Sequence, residues 1–63
     1  MGEKVKELRE AKGWTQEQLA QKSGLSRVTI SLIETGKPKE IMSGTIKALA
    51  NALEVPVDAL FFA

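Results

Sequence analysis

Apolar residues recur along this chain at helical spacing, and glycine, proline and serine break the intervals between them. Glu3 to Lys12 reads as a first helix, with Val5, Leu8 and Lys12 sharing a stripe and Arg9 at its edge. Gly13 fits the left-handed residue that closes a helix. Trp14, the only tryptophan, follows at the junction; filling the core is the first role for it and stacking on a base the other. Thr15-Gln16-Glu17-Gln18 matches a capping box, with Thr15 as the cap and Gln18 reaching back to it. The second helix then runs to about Ser23 with Leu19 facing inward, and Ala20 is small enough for another helix to come close. Gly24 stops it. Ser26 caps a third helix, Arg27 to about Thr35. Ile30 and Ile33 mark its buried face; at 100° per residue Val28, Ser31, Leu32 and Thr35 fall opposite, with Arg27 and Thr29 on the flanks. Glu34 lands at the edge of the buried side, where a carboxylate needs a partner. Arg9, at the edge of another apolar stripe, is the natural one.

Gly36 to Glu40 reads as a loop, anchored by Ile41 and Met42. Ser43 is placed as the cap of a fourth helix, in which Ile46, Leu49, Ala50 and Leu53 follow the i, i+3, i+4, i+7 rule. Pro56 suits the start of a last short helix, Val57 to Phe61, and Asp58 in its first turn complements the helix dipole. No stretch alternates with period two, so no strand is expected. The fold class predicted is all-α: a bundle of five short helices in a single domain, residues 1–63. The link between helices 2 and 3 is too short for antiparallel stacking and fits the steep crossing of a helix-turn-helix. In DNA-binding proteins of that geometry the second helix of the pair lies in the major groove.

Composition narrows the chemistry. The chain has 63 residues, no cysteine and no histidine, so disulfides, thiolate metal sites and the commonest general base are all excluded. Glu7, Glu10 and Glu17 read as solvated helix faces, and no glycine-rich phosphate loop is present. Enzyme activity, a metal site and a cofactor are therefore not expected. MGEKVKEL is not a signal peptide and no apolar run is long enough to span a bilayer; a cytoplasmic, nucleoid-associated location without membrane contact is the expectation. The net charge is +1, but it is unevenly spread. Residues 22–47 carry Lys22, Arg27, Lys37, Lys39 and Lys47 against Glu34 and Glu40, whereas residues 48–63 carry only Glu54 and Asp58. A basic middle segment is what phosphate binding requires.

Thr15-Gln16-Glu17-Gln18-Leu19-Ala20, Gly24-Leu25-Ser26-Arg27-Val28-Thr29-Ile30-Ser31 and Ile33-Glu34-Thr35-Gly36-Lys37 resemble the helix-turn-helix of the lambda-repressor-like, Cro-type (xenobiotic-response-element) regulators. Leu8-Arg9, Gly13-Trp14, Thr45 to Leu53 and Val55 to Phe61 match the rest of that family's domain, so the likeness covers nearly the whole chain. It implies a compact five-helix DNA-binding domain. Within it, Gln16 takes the position that holds a phosphate beside the second helix. Ser26, Arg27, Val28, Thr29, Ser31 and Leu32 take positions that face bases or phosphates. Arg27 suits the guanine O6/N7 pair, and Val28 suits a thymine methyl. Thr35, Lys37 and Lys39 match the segment that follows the DNA backbone. Arg9 and Glu34 match a structural ion pair. Leu32 departs from the polar residue frequent at its position, the loop after Gly36 is one residue longer than usual, Met42 replaces a common proline, and Pro56 replaces a common cap.

The function implied is a sequence-specific regulator of transcription, a repressor, that binds double-stranded DNA as a homodimer on a pseudo-palindrome, with half-sites about one helical turn apart. Phe61 and Phe62 are the dimer candidates. No small-molecule partner is expected, since no residues are left over for a sensor. The alternative is a protein-interaction or antitoxin-type module with weak DNA binding, for which the apolar Val28 and Leu32 leave room.

Overall fold

The computed structural model describes residues 1–37 and 40–61. Four α-helices, α1 (Gly2–Ala11), α2 (Gln16–Ser23), α3 (Arg27–Glu34) and α4 (Ser43–Leu53), are followed by a 3-10 turn, Val57–Leu60. Local chemistry fixes the junctions. The Gln18 amide donates to Thr15 Oγ1 (3.1 Å) and the Thr15 amide to Gln18 Oε1 (2.8 Å), which closes the capping box at the start of α2. Gly24 ends α2 at φ 77°, in the left-handed region that a Cβ disfavours. Its amide donates to the Ala20 carbonyl. Only Leu25 and Ser26 then separate it from α3.

The core is Val5, Leu19, Ala20, Ile30, Ile33, Leu49, Ala50, Leu53 and Leu60, so every element contributes at least one buried residue. α2 packs against both α3 and α4, and α1 against α3. α1 meets α3 closely at Gly2, where a Cβ would collide with the Ile33 carbonyl. The start of α1 is thereby seated on the end of α3. Met1, Leu8, Trp14, Leu25, Ile41, Ile46, Ala52 and Val55 surround the core, half-buried.

Three expectations are corrected. The last element is a 3-10 turn rather than a fifth α-helix: the amides of Ala59 and Phe61 donate three residues back, to Pro56 and Asp58. Four residues behind a proline complete too little of an α-turn, and 3-10 geometry is the usual form of so short a piece. Ser43 does not cap α4. The Met42 carbonyl already accepts from the Ile46 amide, so Met42 occupies the cap position without a side-chain bond and Ser43 is the first helical residue. The first helix ends at Ala11 rather than Lys12, which forms its exposed C-cap.

Glu54, at the C-cap of α4, holds φ 59° without being glycine. L-residues are strained there, and its one ion pair among the described residues, to Lys12 Nζ at 3.4 Å, involves a side chain 78% exposed. Surface pairs of this kind contribute little. Glu54→Gly is expected to raise stability by about 0.5 kcal/mol, the strain relief outweighing the extra freedom of glycine in the unfolded chain. A urea midpoint shifted upward at unchanged slope is the result that supports this.

Candidate nucleic-acid interface

The face of α3 turned away from the core carries Arg27, Val28 and Leu32, all exposed, with Ser31 half-buried and Thr29 half-buried on the flank. Thr35 and Lys37 continue the exposed surface past the helix end. Lys39 and Phe62 lie outside the described residues. Among the described residues Arg27 makes no hydrogen bond or ion pair, which leaves its planar fork of donors free for a ligand.

The hydroxyls of this segment are partly committed. Ser26 Oγ accepts from the Thr29 amide (3.1 Å) and donates to Thr29 Oγ1 (2.8 Å). Ser26 is thus first of all the cap of α3. Thr35 Oγ1 donates to the Leu32 carbonyl at 2.9 Å. Thr29 keeps its own hydroxyl hydrogen, and Ser31 makes no side-chain hydrogen bond within the described residues.

Behind this face lies a polar knot. Arg9 Nε donates to Glu34 Oε2 at 2.7 Å and Nη2 to Glu34 Oε1 at 3.1 Å, a two-pronged pair whose side chains are only 10% and 3% exposed. Arg9 Nη1 also donates to the Trp14 carbonyl at 2.6 Å. One side chain therefore joins α1, the α1–α2 junction and the end of α3. The Arg9 pKa is raised above its ordinary value, chiefly by the hydrogen bond to Glu34 and by Coulomb attraction to Glu34 and Glu10, against the opposing effect of burial. A raised pKa keeps its stabilisation at all pH below the unfolded value and loses it only as pH rises through the folded one. For an arginine that window lies far above neutrality, so this charge is constant under any physiological condition.

Gln16 belongs to the same knot. Its Nε2 donates to Glu34 Oε1 at 3.1 Å. One of its two amide hydrogens is therefore held by the ion pair, and the other remains for a ligand at the start of α2. This contact joins residues 18 apart in sequence and depends on how α2 meets the end of α3. No local pattern announces it. Trp14 is half-buried against the core, with Lys12 Nζ 5.2 Å and Lys22 Nζ 4.8 Å from its ring centroid. The ring is thus already engaged by two of the protein's own cations.

Phe61 is 50% exposed. It borders an open cavity of about 400 Å³ lined also by Met1, Gly2, Ile33, Gly36, Ile41 and Ile46. Among the described residues no cluster of acidic side chains is arranged to hold a metal, and no helix is long and apolar enough to cross a membrane.

A family model described as helix-turn-helix matches residues 5–60. The chain is 47% identical over 62 residues to the uncharacterized HTH-type transcriptional regulator RghRB of Bacillus subtilis (strain 168), covering 98% of this chain and 45% of the relative. It is 44% identical over 61 residues to the HTH-type transcriptional repressor RghR of the same strain, covering 97% and 45%. The chain thus spans less than half the length of these curated relatives. Among solved structures, the restriction-modification controller protein C.AhdI from Aeromonas hydrophila superposes with a TM-score of 0.90 at 40% identity, covering 95% of this chain and 89% of that one.

Proposed function

The chain belongs to the helix-turn-helix family, and on that premise we propose that residues 1–63 form one DNA-binding unit that represses transcription by occupying a double-stranded operator. The observation that carries this reading is the outer face of α3, which is exposed among the described residues and begins with an arginine that has no partner among them. Arg27 and Val28 read bases at the start of the helix, Ser31 and Leu32 one turn later. Gln16 donates its remaining amide hydrogen to a phosphate at the start of α2. Thr29, Thr35, Lys37 and Lys39 follow the backbone, and Ser26 supports the segment as its cap. Arg9 and Glu34 tie α1 to the end of α3.

A single module of this kind covers roughly 600–1,000 Å² of surface. We therefore assign a homodimer on a pseudo-palindrome, with half-site centres about 34 Å apart. Phe61 and Phe62 are our candidates for the dimer contact.

Selection from a randomised duplex pool tests the reading. Enrichment of a two-fold repeated sequence, with affinity falling steeply as salt rises, is expected. Recovery of no sequence at low salt would overturn it. Lys37→Ala is expected to weaken binding to all duplexes alike and to reduce the salt slope by about one. A loss confined to one sequence would contradict the backbone role.

A further inference from the structure

We infer that Val28 and Leu32 together read the 5-methyl groups of pyrimidines, so that the bound half-site carries thymine or 5-methylcytosine at two base pairs about two steps apart. The inference rests on the DNA-binding reading above.

It starts from what α3 has left to offer a ligand. Ser26 Oγ is engaged twice with Thr29, and Thr35 Oγ1 is turned back onto the Leu32 carbonyl. Thr29 and Ser31 are half-buried. Apart from Arg27, the most outward side chains of the helix are therefore apolar: Val28 is 64% exposed and Leu32 43%. Beyond Leu32 a shallow groove of about 180 Å³ continues the apolar surface to Ile41 and Met42, and Met42 is 80% exposed.

Position matters as much as polarity. Val28 and Leu32 stand four residues apart, so they share one side of the helix and are separated by about 6 Å along its axis. Base pairs succeed one another every 3.4 Å or so. The pair therefore spans about two base steps. In the major groove, thymine presents a C5 methyl, whereas cytosine presents an amino donor and no methyl unless it is modified at C5. Val28 or Leu32 pressed against an unmodified cytosine leaves that donor dehydrated and unpaired. Against a methyl group the same side chains bury apolar surface on both partners.

The selected duplex supplies the test. Each thymine is replaced in turn by deoxyuridine, which preserves pairing and removes only the methyl. At two positions about two base pairs apart the affinity is expected to fall about fourfold each, the effect of one buried methyl-sized group; at the other positions it is expected to stay constant. A C·G pair placed at either sensitive position weakens binding, and 5-methylation of that cytosine restores part of it. Val28→Ala removes the deoxyuridine penalty at one position and Leu32→Ala at the other. Both side chains are exposed, and circular dichroism verifies that the variants stay folded. A selected duplex that binds equally well with deoxyuridine throughout overturns the inference and leaves the DNA-binding reading intact. If the two alanine variants also bind DNA with unchanged affinity, the apolar strip belongs to a protein partner instead. If the pool enriches nothing, the DNA-binding reading itself falls, and the inference with it.

Discussion

Glu34→Ala is expected to leave about half of the protein unfolded at physiological temperature. The carboxylate accepts from Arg9 twice and from Gln16 once, and its side chain is 3% exposed. Removing one partner of a buried ion pair strands the other, at about 3–5 kcal/mol. A core of this size rarely supplies more than about 3–5 kcal/mol in total. The two magnitudes are equal, so the single substitution consumes the whole margin. The double variant Arg9→Met/Glu34→Leu strands no charge and is expected to be more stable than either single variant, because apolar residues of similar volume fill such sites well. Urea titration followed by far-UV circular dichroism separates these outcomes. A Glu34→Ala protein within about 0.5 kcal/mol of wild type, the size of an ordinary surface substitution, would show that the pair is ornamental.

Arg27→Ala is expected to reduce affinity for the preferred operator by about 1–3 kcal/mol, roughly five- to 150-fold, while binding to unrelated duplexes changes little. The exposed guanidinium at the first residue of α3 is free of protein partners among the described residues, so the substitution leaves no buried group unsatisfied and the fold is retained. Arg27→Lys retains the charge and loses the planar fork. It is expected to behave like the alanine variant on sequence preference and like wild type on salt dependence. Competition binding with duplexes altered at one base pair at a time measures both. An equal loss on every sequence would place Arg27 on a phosphate rather than a base.

The elements readable from the sequence are those whose signals are local. Thr15 and Gln18, Gly24, and Ser26 each fix a helix end through bonds within a few residues, and α2 and α3 run where those residues put them. Arg9 and Glu34 meet across 25 residues because both fall at the edges of apolar stripes, and charges so placed have few ways to be satisfied. The Gln16 contact has no such signature. Gln16 at a helix start looks the same in sequence whether its amide faces solvent or a carboxylate from another helix. The end of the chain was equally opaque to periodicity: over Val57–Leu60 the 3-10 and α patterns place side chains almost alike, and only the hydrogen bonds distinguish them. At Ser43 a good capping residue lost its role to the register demanded by Ile46, Leu49, Ala50 and Leu53, an instance of packing overriding local preference.

The bonds that close α3 at its two ends bear on the heat of association. Ser26 organises the first turn and Thr35 the last, so any ligand meets a helix already built. Segments that fold only on contact show a large negative heat-capacity change and surrender several kcal/mol to ordering. Here the freedom lost is confined to a few exposed side chains such as Arg27 and Lys37, at about 0.5–1.5 kcal/mol each. The calorimetric trace of binding should therefore have the shallow temperature slope of two finished surfaces meeting.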